Sequence, residues 1–247
     1  MENVLQIQNC SVQLAYANYA GNPVTFQVKR GEIISVLGPD YSGKTEWLRT
    51  FAGLSEPVDG EVFSGTLSSH CQNREQWQQL RRRLAYVSAE TSLLSAANGL
   101  ANVMLPAKYH QLDETSALCD KALALMTELD VQHQQNALPA FMRRDQCYRL
   151  ALARALMLDP AVLVLDDPFA HSDSAGSYQL KQFLLARAKK HETALLIMSH
   201  DVEFSLKHAQ QILFVSREQV YCFDSAEQFS GSQIASIREY LDKPGTH

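Results

Sequence analysis

The sequence predicts an α/β fold in which helices separate the strands of a central sheet. Three observations carry that prediction. Strand-length apolar runs alternate with helical stretches along the chain. The glycine-bearing segment Gly38-Pro-Asp-Tyr-Ser-Gly-Lys-Thr45 lies between a buried strand and a helix. A second apolar run, Ala161-Val-Leu-Val-Leu165, ends in two acids, Asp166 and Asp167.

The elements follow in chain order. Leu5 and Ile7, then Val12 and Leu14, alternate as a strand or hairpin, and Val24 to Val28 alternates again. Lys29 to Glu32 turns, and Ile33-Ile-Ser-Val-Leu37 is a buried strand. Gly38 to Lys44 is a loop and Thr45 to Leu54 a helix. Gly60 to Phe63 and Leu84 to Val87 are short strands. The arginines 81 to 83 end a solvated helix, and the glutamine-rich patches at 72 to 79 and 132 to 135 are solvated helix or loop. From about Leu93 to Leu158 the period turns helical, most clearly over Thr115 to Leu129 and Cys147 to Leu158. Helices follow at Ala175 to Lys190 and Asp201 to His208, with strands at Thr193 to Met198, Ile212 to Val215 and Val220 to Phe223. The middle helical stretch reads as a lobe inserted into the α/β core.

Bulk composition narrows the function. At 247 residues the chain fits one large domain or two lobes sharing a core, and 46% apolar with 20% charged residues is ordinary for a soluble globular protein. A net charge of -5 argues against a nucleic-acid partner. The five cysteines, at 10, 71, 119, 147 and 222, never form a C-x-x-C pair, so reduced thiols and no zinc site are expected. No apolar run approaches the ~20 residues of a membrane helix, and the start MENVLQIQNC lacks a signal-peptide pattern. A soluble protein is expected, free to bind something embedded in a membrane.

The segment Gly38 to Thr45 matches G-x-x-x-x-G-K-[ST]. Glycines let the backbone curl so that successive N–H groups face phosphate oxygens, and the following helix adds the positive end of its dipole. Gly38, Pro39, Asp40, Tyr41, Ser42 and Gly43 form this cradle, with Glu46 just beyond it. Lys44 reaches the outer phosphates, and the Thr45 hydroxyl is a ligand for Mg²⁺. Ligands in such sheets bind beyond the carboxyl ends of the strands. Asp166 is therefore placed to hold Mg²⁺, directly or through water, and Asp167 to orient or deprotonate an attacking water. His200, in Ser199-His-Asp201 after another apolar strand, is a contact for the terminal phosphate.

In order and spacing, GPDYSGKT, QCYRLALARAL, LVLDDPFAHSD and MSHD resemble the ATP-binding cassette (ABC) ATPases over nearly the whole chain. The resemblance implies a P-loop NTPase. It implies a RecA-like core with an antiparallel β-subdomain over residues 1–88 and 156–247, and a helical subdomain over 89–155. It also implies permease partners and a second cassette, with two ATP molecules held between one chain's phosphate loop and the other's LSGGQ motif. The setting it implies is the cytoplasmic face of the inner membrane. LRRRLAYV, NVMLP, LPAFM and DDPF are similar to the ATPases of MlaF-type phospholipid transporters. By the same resemblance Asp167 stands at the catalytic glutamate, Asp173 at the D-loop aspartate, and Gln146 and Arg149 at the end of LSGGQ and its following arginine.

The departures fall on the parts that serve a partner's nucleotide. Met142-Arg-Arg-Asp-Gln146 stands against LSGGQ, so Arg143 replaces the serine and Arg144 and Asp145 the glycines. Asp145 is expected to cap its own helix, leaving a solvated cap where the family has a phosphate grip. Ala89 takes the place of the Q-loop glutamine, with Glu90 adjacent, and Asp167 is one methylene shorter than glutamate. Val12 occupies the adenine-stacking position, so Tyr16 or Tyr19 has to serve. Three readings follow: a transporter ATPase subunit of reduced activity, a non-hydrolysing nucleotide-binding subunit with a structural or regulatory role, and an unrelated P-loop kinase. The ABC order of the motifs disfavours the third.

Overall fold

The structure, a computed structural model, describes residues 2–14, 22–70, 73–88, 90, 93–112 and 115–242. Tyr16, Tyr19 and Ala89 lie outside the described residues.

Two sheets organise the chain. The first is antiparallel, in the order β2-β1-β4-β5, from β1 (Asn3–Ser11), β2 (Val24–Lys29), β4 (Asp59–Ser64) and β5 (Leu67–Ser68). Its β2 alternates buried and exposed residues, as a strand with one solvated face does. The second holds β3 (Ile33–Leu37), β6 (Leu84–Val87), β7 (Val162–Asp166), β8 (Ala194–Met198), β9 (Gln211–Val215) and β10 (Val220–Phe223), in the order β10-β9-β3-β8-β7-β6. It is parallel except for β10. Every residue of β3, β7 and β8 is buried, which explains their apolar runs, interrupted by Ser35 within β3 and by Asp166 at the end of β7.

Helix α1 (Lys44–Phe51) fills the space between the two sheets, with Trp47, Leu48 and Phe51 fully buried against both. Burying Trp47 and Phe51 contributes on the order of 2–3 kcal/mol each. On the other side of the parallel sheet, α3 (Gly99–Tyr109), α4 (Thr115–Glu128) and α5 (Arg144–Leu156) pack on one another. They share a core there with α6 (Ser174–His191). A third cluster joins β9 to α7 (Val202–His208), α8 (Ala226–Ser230) and α9 (Ala235–Leu241). Helix α2 (Arg74–Arg83) precedes β6.

Several expected boundaries move. Helix α1 stops at Phe51 rather than Leu54, because Gly53 turns left-handed at φ 67° and the Leu54 N–H closes back on the Arg49 carbonyl. Helix α5 begins at Arg144 rather than Cys147, and ends at Leu156 rather than Leu158. The glutamine-rich stretch around residue 76 is helix, capped by the Asn73 side chain, which accepts from the Gln76 N–H at 2.9 Å. The hairpin strand β5 and helices α8 and α9 have no counterpart in the sequence reading.

Candidate nucleotide site

Three neighbouring strands, β3, β8 and β7, end side by side and deliver the expected residues to one edge of the sheet. After β3 the chain turns at Gly38, whose φ of 146° suits only glycine; a Cβ there would lie 2.1 Å from the Val215 carbonyl oxygen. Gly43, at φ 92°, caps α1, and a Cβ on it would lie 2.4 Å from Leu14 Cδ2. The loop between them therefore closes tightly onto the helix start, where the first N–H groups of α1 are free of intrahelical partners.

Lys44 is buried, and its Nζ donates to the carbonyls of Gly38 and Pro39, each at 2.7 Å. Burial lowers its pKa, while Asp40, Asp167 and Asp166 pull it back up. The lysine is thus held inside the loop rather than loose in solvent. Ser42 Oγ is buried without a hydrogen-bond partner, an orphaned polar atom in a cradle suited to an anion. Tyr41 and Asp40 are exposed on the outer curve of the loop, Tyr41 in a left-handed turn at φ 59°.

Asp166 ends β7 at 5% exposure. Its Oδ2 accepts from Tyr86 Oη at 2.7 Å and from Thr45 Oγ1 at 3.4 Å. Burial raises its carboxyl pKa; the Tyr86 and Thr45 hydrogen bonds and Lys44 lower it, and Glu46, in the first turn of α1, acts as a like charge that raises it. A hydroxyl beside a carboxylate next to a phosphate cradle is a donor set that Mg²⁺ accepts, since that ion takes few protein ligands and completes its shell with phosphate oxygens and water.

Asp167 is half-buried and has φ 44°, a left-handed backbone that costs a non-glycine residue of order 1 kcal/mol or more. Its N–H is held by the Met198 carbonyl at 2.9 Å, at the end of β8. Burial raises its carboxyl pKa, opposed first by His200, with Asp166 adding to the rise. His200 Nε2 stands 3.6 Å from Asp40 Oδ1. The expected loop, both acids and the histidine are thereby gathered together. Tyr86 is the member that the sequence reading missed; its signal was one polar tip in the otherwise apolar run LAYV.

The helix start at Arg143 departs from expectation. The N-cap of α5 is Arg143, not Asp145. Asp145 lies in the first turn and binds the Arg143 guanidinium through two hydrogen bonds of 3.0 Å. Its charge is consumed by its neighbour, so it does not cap, and Gln146 Oε1 accepts the Arg143 N–H at 2.9 Å instead. Arg149 is buried at 6% exposure and donates to the carbonyls of Leu129, at 3.0 Å, and Gly176, at 2.9 Å. Asp173 caps α6 by accepting the Gly176 N–H at 2.7 Å.

Comparison with known proteins supplies the family. The sequence model of the ABC transporter family matches residues 21–170, more than half of the chain. The chain is 30% identical over 192 residues to the aliphatic sulfonates import ATP-binding protein SsuB 3 of Rhodococcus jostii, covering 78% of this chain and 64% of that protein. It is 23% identical over 220 residues to the methionine import ATP-binding protein MetN of Francisella tularensis, covering 88% and 63%. The chain thus spans less than two thirds of the length of these relatives. Among solved structures, a dimeric post-hydrolysis ATP-binding cassette bound to ADP and Pi superposes with a TM-score of 0.79 at 21% identity, over 88% of this chain and 97% of that one. The cbiO1 protein of Clostridium perfringens, part of an ABC transporter complex, superposes with a TM-score of 0.77 at 18% identity, over 99% and 97%. The α/β P-loop NTPase fold read from the sequence agrees with these neighbours, and the chain belongs to the ABC transporter family.

Proposed function

We propose that the chain is the ATP-binding subunit of an ABC transporter, binding ATP-Mg²⁺ in its own phosphate loop while contributing weakly to the site of a partner cassette. The observation that carries the first half is the meeting of Lys44, Thr45, Asp166, Asp167 and His200 where β3, β7 and β8 end. Backbone N–H groups and Lys44 hold the triphosphate. Thr45 and Asp166 hold Mg²⁺, which when bound neutralises charge on the outer phosphates. Asp167 orients the attacking water and takes its proton, with its raised pKa suited to a base, and His200 contacts the terminal phosphate.

The second half rests on Arg143 and Asp145. Their mutual pair occupies the helix start that would face a partner's nucleotide; it commits the Arg143 guanidinium to Asp145 and sets a carboxylate in the first turn, where a phosphate would have to approach. A second cassette with an unaltered motif suits this chain best as its mate. The same pair favours the alternative of a regulatory, non-hydrolysing subunit over a freely turning homodimer.

Membrane coupling belongs to the same reading. Leu54, Leu84, Leu105 and Tyr109 line a groove of about 760 Å³ between the parallel sheet and α3, a surface suited to a permease segment. Among the described residues no helix is long and apolar enough to cross a membrane, and attachment through a permease on the cytoplasmic face follows from the proposal. Residues 89–155 act as the helical lobe, which supplies one wall of this groove through Leu105, Tyr109 and Ala151. The MlaF-like segments favour a lipid cargo, although the relatives named above are ATP-binding proteins of aliphatic sulfonate and methionine import.

The experiment is nucleotide binding and ATP turnover by the purified chain, alone and with an intact cassette. Binding that is lost in Lys44→Ala, with slow turnover alone and faster turnover in the mixed pair, is expected. Rapid turnover by the chain alone, abolished by Asp167→Asn, overturns the weakened-partner reading. No ATP binding overturns the whole proposal.

A further inference from the structure

A second charged cavity lies away from the nucleotide site. It occupies about 710 Å³, and its lining includes Arg30 after β2, Arg82 and Arg83 at the end of α2, Ala161 before β7, and Arg187 near the end of α6. Thr193, just before β8, lines it too. Ala161 and Thr193 put it at the amino ends of β7 and β8, whereas Asp166 and His200 mark their carboxyl ends. The two sites are roughly 17 Å apart, the length of a five-residue strand.

Its charge runs against that of the protein. The chain carries a net charge of -5, yet four arginines face only two acids here, Asp159 and Glu192. Counting Glu2, which pairs with Arg30 at 3.2 Å, still leaves an excess of positive charge. Asp159 is shared between Arg187, at 3.5 Å, and Lys121. Arg83 Nε donates to Ser64 Oγ at 3.1 Å, and Arg82 pairs with no acid among the described residues. Arg187 is more than nine-tenths buried, and its Nε has no hydrogen-bond partner. A buried guanidinium is costly unless negative charge stands beside it, and Asp159, exposed and shared with Lys121, supplies only part of that charge.

We propose that this cavity is a second anion site, in which Arg82, Arg83 and Arg187 bind the phosphate group of a small molecule. Guanidinium groups match phosphate through paired, charge-assisted hydrogen bonds, and several converging on one cavity select a multiply charged tetrahedral anion over a single carboxylate. The volume exceeds what inorganic phosphate fills and falls in the range of small-ligand pockets. The cavity shares no residue with the phosphate loop. Because it touches the ends of α2 and α6 and the loop before β7, its occupancy would tie together the segments leading into the Asp166 strand.

The test is calorimetric titration of the Lys44→Ala protein, in which the loop lysine is gone, with pyrophosphate and separately with glucose 6-phosphate. One saturable site is expected to remain. Arg82→Gln in the same background should weaken it by about tenfold or more, the cost of one charge-assisted contact. The Arg82→Gln single variant should bind ATP like the parent. Tighter binding of glucose 6-phosphate than of pyrophosphate identifies an organic phosphate, and the reverse identifies a free polyphosphate; either supports the site. Binding that vanishes with Lys44→Ala, or that ignores Arg82→Gln, overturns it. Arg187→Gln gives a second reading of the same loss. Should that buried substitution fail to fold, the exposed Arg82 carries the test alone.

Discussion

Tyr86 donates a 2.7 Å hydrogen bond to Asp166, tying the strand next to β7 to the carboxylate that stands beside Thr45. The tyrosine is partly buried, and its own pKa is pushed up, first by burial and then by the Asp166 charge, so it stays a donor at every working pH. Its bond holds one Asp166 oxygen in place and lowers a carboxyl pKa that burial raises. Tyr86→Phe removes the donor while keeping the ring. The expected result is a loss of about tenfold in apparent Mg²⁺ affinity, the usual scale for an outer partner of a metal ligand. A magnesium titration of nucleotide binding reads it directly, and an unchanged midpoint would show that Tyr86 is only packing.

The sheet and the loop were legible in the sequence, and Tyr86 was not, for physical reasons. Strands buried on both faces are predominantly apolar, so Ile33 to Leu37, with its single serine, and Val162 to Leu165 announced themselves. The loop was legible because its chemistry lies within eight consecutive residues. Tyr86 acts on a residue eighty positions away, through a strand pairing that local pattern does not encode. The role of Asp145 was misread because a residue two positions earlier captures it, and side-chain pairing decides that contest rather than capping preference. Helix α9 buries only Ile237 and Tyr240, too few apolar positions to stand out.

Arg149 is a brace. It connects the end of α4 to the start of α6 through the Leu129 and Gly176 carbonyls, and it is almost fully buried. Arg149→Met fills similar volume but leaves two carbonyls without their charged donor. A loss of about 2–4 kcal/mol in unfolding free energy is expected, measured by urea denaturation. ATP affinity at the phosphate loop should change little by comparison.

Asp167 carries a cost in stability. Burial raises its carboxyl pKa above the unfolded value, so the folded state favours the protonated acid. The sign follows from linkage. Its contribution is most favourable below the unfolded pKa and is lost as pH rises through the folded one, leaving a cost at neutral pH. Asparagine carries no charge and tolerates the left-handed backbone at φ 44°. Asp167→Asn is therefore expected to raise the Tm of the nucleotide-free protein at pH 7 and to abolish ATP turnover. The Tm gain should disappear at about pH 3, where aspartate is protonated in both states. A Tm gain that persists there would trace the effect to packing instead of charge.

The Arg143–Asp145 pair makes the boldest prediction, because it can be undone. The triple change Arg143→Ser, Arg144→Gly, Asp145→Gly removes the pair, frees the start of α5 and reduces side-chain bulk where a partner's nucleotide would approach. Two glycines in the first turn cost helix stability, up to about 1 kcal/mol each, while serine at the cap returns part of it. Tm should therefore fall slightly. If the pair is what weakens the opposing site, the ATP turnover of the triple variant paired with a second copy of itself should rise about tenfold or more over the parent. Asp167→Asn added to the triple variant must cancel that gain, which separates hydrolysis at this chain's own acid from a contaminating activity. A triple variant that folds, binds ATP as the parent does and still turns over no faster would place the block elsewhere, with Ala89 and the shortened Asp167 as the remaining departures.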